Sequence, residues 1–332
     1  MLDTPESLFL SSEQWREADL AASCLMTVTT DTQYNFPQLT KLRPDISTTD
    51  DRHRKTFSNA PCLRELSVGL LVLITHLGIP RHQLRTLTIT RPSTLIELLS
   101  ILPEMKCLEE LSLNRIWLED EPGWLSDAHL NLPLISTLSL LGEDSTMFMR
   151  HLTLPTLTNL HLAQFDEDEA RFYVVPCLQR SMTMVTTLSM ARTNAPAAVA
   201  VLESPSVGPT LKTLTITRFH VKDYEHAVFV SHCAQPTALP VLESFTVVVP
   251  AADPLPITVR PFLDAVRTRA ANLLREGLER PLQFVMELTP YEMREEEMRD
   301  LIDLQRHSKV CVRMPQGRPA WMKRWEYEDF EK

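Results

Sequence analysis

A right-handed α/β solenoid, with a parallel sheet on the inner curve and helices or irregular segments outside, is predicted by three features of the sequence. A short phrase, L-x-x-L-x-L, recurs along the chain; helical patterning fills the intervals between its copies; prolines stand at a fixed place before it. The phrase reads "PCLRELSV" at 61, "KCLEELSL" at 106, "LPTLTNLHL" at 154, "PTLKTLTI" at 209 and "PVLESFTV" at 240. Its central apolar residue falls at Leu66, Leu87, Leu111, Leu138, Leu160, Leu188, Leu214 and Phe245, at intervals of 21 to 31 residues. That spacing is leucine-rich-repeat-like. In an L-x-L strand, alternation sends both leucines to one face and the residue between them to the other. One such strand cannot bury its apolar face alone, whereas a stack of parallel ones can.

The intervening segments follow from helix chemistry. In "PSTLIELLSILPEMK", Ser93 is the expected N-cap, and Leu95, Leu98, Leu99 and Leu102 recur at helical spacing. "DEDEARFYVVPCLQR" and "VKDYEHAVFVSHC" open on or near acids, where the helix dipole favours them. Strand followed by helix, repeated, gives a right-handed crossover. Pro61, Pro133, Pro155, Pro209 and Pro240 each stand two residues before the first apolar position, where a proline ends the preceding helix without removing a sheet hydrogen bond. A regular leucine-rich repeat satisfies its turn with an asparagine ladder; here the equivalent positions include Ile116, Phe165 and Phe219, so apolar plugs are expected instead.

Four segments follow from this pattern. Residues 1–50 form an N-terminal helical cap, since "SSEQWREADLAASCLMTV" puts Trp15, Ala18, Ala22 and Leu25 on one side of a helix. Residues 51–250 form the irregular solenoid. Residues 251–318 add C-terminal β-α units: a helix from Pro261 to Gly277, a strand "LQFVMEL", a helix opened by "TPYEMREEE" and a strand "KVCVRM". Residues 319–332 are a charged, aromatic tail.

Composition narrows the partners. The 332 residues are 44% hydrophobic and 23% charged, the profile of a folded chain. A formal net charge of −10 repels phosphate backbones and anionic bilayers, so neither nucleic acid nor membrane is an expected partner. The acidic start lacks the basic region of a signal peptide, and the longest apolar stretch, around Val68 to Ile79, is too short to cross a bilayer. Six scattered cysteines and no N-x-S/T sequon point to a reducing compartment, cytoplasmic or nuclear.

Candidate chemistry is sparse. His220, His226 and His232 with Cys233 are close in sequence, but a spacing of six turns each histidine by about 120° on a helix, which separates them rather than forming a zinc site. "DEDE" at 166 reads as a helix start. No nucleophile elbow, phosphate loop or H-E-x-x-H is present, so no catalytic residue, metal or cofactor is assigned. The expectation is a non-catalytic protein-protein interaction module; the alternative is a hydrolase whose site is assembled across repeats.

The residue between the two leucines is Ser67, Thr88, Ser112, Ser139, His161, Ser189, Thr215 and Thr246, a nearly neutral hydroxyl row on the inner face. A protein partner is expected across Asn159, His161, Thr187, Ser189, Thr213 and Thr215, which point out of the core. The rival site is the tail, through Trp321 and Trp325, because exposed tryptophans dominate many interfaces.

"LLSILPEMKCLEELSLNRI" and "LNLPLISTLSLLGEDSTMFMRHLTLPTLTNLHL" resemble the leucine-rich-repeat-like region of the large F-box family of basidiomycete fungi, a likeness covering roughly residues 60 to 250. The resemblance implies a role in substrate recognition for a ubiquitin ligase, with an F-box docking the cullin-ligase adaptor and the repeats presenting substrate. Residues 1–50 depart from that family, showing no L-P-x-E opening, so adaptor binding is expected only through an F-box outside this pattern.

Overall fold

The computed structural model describes residues 12–21, 34–45, 55–117, 129–217, 223–249, 260–275, 283–288, 299, 303 and 311–313. The chain divides into two compact units, Met1–His161 with Pro176–Thr183, and Leu162–Val175 with Met184–Lys332.

The L-x-L phrases form the strands. In chain order these are β1 (Glu17–Ala21), β2 (Lys41–Asp45), β3 (Glu65–Val68), β4 (Thr86–Ile89), β5 (Glu110–Leu113), β6 (Thr137–Leu140), β7 (Asn159–Ala163), β8 (Thr187–Ala191), β9 (Thr213–Thr217), β10 (Ser244–Val249), β11 (Gln283–Leu288) and β12 (Cys311–Arg313). In the first unit β1 to β6 pair in parallel, each with the next in sequence. In the second, β8 to β12 do the same. Neither run of strands closes on itself, and the architecture is mixed α/β.

The register aligns the phrase with itself. Leu42, Leu66, Leu87, Leu111 and Leu138 are successive partners in one unit, and Leu188, Leu214, Phe245 and Phe284 in the other. The seven central leucines from Leu66 to Leu214 are all at most 2% exposed. The two flanking apolar positions are buried as well, for example Leu108 and Leu113 around Leu111. Apolar alternation therefore sets both the face and the register, because a slip of one residue would turn every leucine to solvent.

Many strand starts are tied to the preceding strand by a recurring backbone arrangement in which one carbonyl accepts two consecutive amides. Arg16 O accepts from Thr40 and Lys41, Thr40 O from Arg64 and Glu65, Arg64 O from Arg85 and Thr86, Arg85 O from Glu109 and Glu110, and Glu109 O from Ser136 and Thr137. In the second unit Thr186 O and Lys212 O do the same. Pro61, Pro133, Pro155, Pro209 and Pro240 all sit exposed in the turns just before these starts.

The helical segments between strands run from 3 to 16 residues. They are α1 (Val72–His76), α2 (Leu95–Ile101), α3 (Glu167–Glu169), a π turn over Ala170–Val174, α4 (Val175–Ser181), α5 (Ala195–Leu202), α6 (Asp223–Ala234) and α7 (Arg260–Arg275). The acidic run at 166–169 is a helix start, with Asp166 and Glu169 forming a capping box. Helix α5 is apolar nearly all round because it packs between the π turn and α6.

Two local expectations are corrected. Residues 17–21, expected within an N-terminal helical cap over 1–50, form strand β1 paired to β2. Ala18 and Leu20 are buried and Glu17 and Asp19 exposed, a period of two that outweighs the helical spacing from Trp15. Trp15 is half-buried, its ring 5.8 Å from that of Phe36. The N-cap of α2 is Thr94, not Ser93: its side chain accepts from Glu97 N, and Glu97 returns a carboxylate to Thr94 N. Ser93 is held one residue earlier, in a two-residue parallel pairing of Ser93–Thr94 with Ile116–Trp117.

The turns hold apolar plugs beside polar ties. Ile116 and Phe165 are buried as expected, and Phe219 lies outside the described residues. Some backbone carbonyls accept from hydroxyls and amides reaching back one repeat length. Thr40 Oγ1 donates to Arg16 O, Asn114 Nδ2 to Thr90 O, Thr156 Oγ1 to Pro133 O and Thr183 Oγ1 to Leu157 O. In the second unit Thr193 donates to Phe165 O and Thr210 to Val185 O. Thr40, Thr156, Thr183 and Thr210 stand before strands, and Asn114 and Thr193 after them.

Two arginines extend this device. Arg180 donates through Nε and Nη2 to Leu152 O and through Nη2 to Met149 O and Arg150 O, covering the end of the 3-10 helix Ser145–His151. Arg269, on α7 and only 2% exposed, donates to the carbonyl of Cys233 in the last turn of α6 and to those of Gln235 and Leu239 in the segment after it. Cations are favoured at helix C-termini, where unpaired carbonyls gather.

Gly142 follows β6 where the chain presses on the turn after β5. A Cβ there would lie 1.7 Å from Asn114 O and 2.8 Å from its carbonyl carbon, both backbone atoms. Gly142→Ala is expected to cost about 1 to 3 kcal/mol, since two backbone segments must part to admit one methyl. A urea midpoint unchanged by the substitution would show that the turn yields freely.

Of the expected C-terminal β-α units, α7, β11 and β12 are present, while "TPYEMREEE" and the tail with Trp321 and Trp325 lie outside the described residues. Among the described residues no helix is long and apolar enough to cross a membrane.

Candidate functional site

Alternation leaves every second strand side chain on the face opposite the leucines. In the second unit this builds two rows by register. Thr187, Thr213 and Ser244 are successive partners, and so are Ser189, Thr215 and Thr246. All six are half-buried. Neighbours lie about 4.8 Å apart across strands and about 7 Å apart along them, so hydroxyls stand as a close grid with no charge. A third row, Ala191, Thr217 and Val248, continues the grid with smaller polarity. The expected pairs Thr187 with Thr213 and Ser189 with Thr215 are thus true neighbours.

The corresponding face of the first unit has a neutral row, Ser67, Thr88, Ser112 and Ser139, beside a charged one. The charged row runs Lys41, Glu65, Thr86, Glu110 and Thr137. Lys41 Nζ is 3.0 Å from Glu65 Oε2, and Thr86 Oγ1 donates to Glu110 Oε2 at 3.5 Å. Asn159 and His161 belong to this unit. Asn159 Nδ2 donates to Thr137 Oγ1 at 3.2 Å, and His161 is half-buried, its pKa lowered by burial, so the ring is neutral at pH 7. The charged row is readable in the sequence as the residue preceding each central leucine, a position the expected partner face used only at Asn159, Thr187 and Thr213.

Of the histidine and cysteine group, only His232 and Cys233 have described side chains. The His232 side chain is half-buried, with its pKa lowered by burial against the opposing pull of Glu203; Cys233 is buried; the side chains of His220 and His226 lie outside the described residues. Among the described residues no group of three His, Cys, Asp or Glu side chains could hold a metal ion.

The space enclosed by Leu214, Cys233, Leu242, Phe245, Ala265, Val266 and Arg269 is too tight to admit water. An open dent lies over Ile79, Arg81, His82, Glu104 and Lys106, but its arginine is already engaged, 2.8 Å from Glu104 Oε2 and donating to Thr75 Oγ1.

Burial separates the thiols into two classes. Cys62 and Cys107 are exposed, whereas burial pushes the Cys177 thiol up to about 11 and the Cys233 thiol up to about 12, with Arg180 and Arg269 opposing in turn. Both buried thiols stay protonated well above pH 8 and lack the reactive thiolate. Alkylation of the native protein at pH 8 is expected to modify Cys62 and Cys107 and spare Cys177 and Cys233 until denaturant is added. Peptide mass spectrometry reads the outcome, and labelling of Cys177 at the rate of Cys62 would contradict it.

No protein-family model matches the chain, and no curated protein sequence matches it.

Proposed function

We propose that this chain is a non-catalytic protein-protein interaction module, an irregular leucine-rich-repeat-like solenoid with right-handed crossovers whose strands line an inner recognition face. The observation that carries the reading is the in-register hydroxyl grid Thr187, Ser189, Thr213, Thr215, Ser244 and Thr246. Hydroxyls both donate and accept, are short, and leave no charge to desolvate when another chain comes close. The recurring backbone and threonine ties support the solenoid reading, since each strand leans on the one before it.

The resemblance to fungal F-box proteins suggests substrate recognition for a ubiquitin ligase as the setting, in the cytoplasm or nucleus. The same reading holds that residues 1–50 do not dock the cullin-ligase adaptor. Size-exclusion chromatography of purified chain mixed with purified adaptor at micromolar concentration is expected to show two separate peaks; co-elution would overturn that part.

The face itself is tested by Ser189→Arg combined with Thr215→Arg. Two adjacent cations would be set on the neutral grid, while both side chains point away from the core, so folding is retained. Proteins captured by the wild-type chain and identified by mass spectrometry are expected to be lost from the double variant. Capture that survives this change but disappears when the chain is cut at Pro319 would move the site to Trp321 and Trp325.

A further inference from the structure

No further inference is drawn: the strongest candidate, the exposed apolar surface patch of Ile96 and Trp117 beside the short Ser93–Thr94 and Ile116–Trp117 strand pair, carries nothing because nothing in the structure shows what covers it.

Discussion

Arg269→Ala is expected to destabilise the second unit by about 2 to 5 kcal/mol, because neutral buried carbonyls lose their donor and a long side chain leaves a void. The guanidinium is buried on α7 and its fork meets Cys233 O at 3.4 Å, Gln235 O at 3.3 Å and Leu239 O, while Asn272 Nδ2 covers Ala234 O at 3.1 Å. Truncation strands several carbonyls away from water, and each unpaired buried acceptor costs roughly 1 to 3 kcal/mol. Arg269→Met separates polarity from packing: it refills the volume and leaves the carbonyls bare, so it should recover only a minor part of the loss. Arg269→Lys should also fall short, because a point ammonium cannot serve three divergent acceptors. Urea unfolding followed by circular dichroism measures all three. A methionine variant as stable as the native chain would show that the carbonyls find other donors.

The second large effect is expected at Leu111→Ala, at about 2 to 5 kcal/mol. Leu111 is 1% exposed and lies in register between Leu87 and Leu138, themselves fixed by their own neighbours. Strands hydrogen-bonded on both sides cannot close on the void, which places the cost toward the upper end for such a truncation. Ser112→Ala, one residue along on the opposite face, is expected to change stability by no more than about 0.5 kcal/mol. Equal losses for the two substitutions would mean that the leucine face does not carry the packing.

Both effects bear on what a sequence can reveal. Where the phrase is spelled with leucine, its strands and their buried faces were legible, because the residue between two buried leucines has only one place to go. At β1 the same three positions are Trp15, Ala18 and Leu20, and at β2 they are Leu39, Leu42 and Pro44. Alanine and proline weaken the apolar signal, and a tryptophan three residues before an alanine satisfies helical spacing equally well. The tertiary pairing of β1 with β2 decided the matter. The hydroxyl rows were legible for the same reason as the leucines. Arg269 was legible in principle, since Phe262, Ala265, Val266 and Arg269 recur at helical spacing and three of the four are plainly core residues. What hid it was the acceptor set, three carbonyls some 30 to 36 residues earlier in the chain, which no local pattern announces.

The carbonyl that accepts two amides at successive strand starts has a consequence for how the first unit comes apart. Because Thr40 and Lys41 hang on Arg16, and Arg64 and Glu65 on Thr40, releasing β1 strands only the pair at 40–41 and leaves every later link intact. Releasing β4 severs a link on each side of it. Opening is therefore cheapest from the β1 end and dearer with each strand inward, so native-state amide exchange should slow in steps from residues 40–41 through 64–65 and 85–86 to 109–110. Such a staircase is a property of a linear chain of dependencies, in which a strand's lifetime reflects its rank in the series more than its own composition.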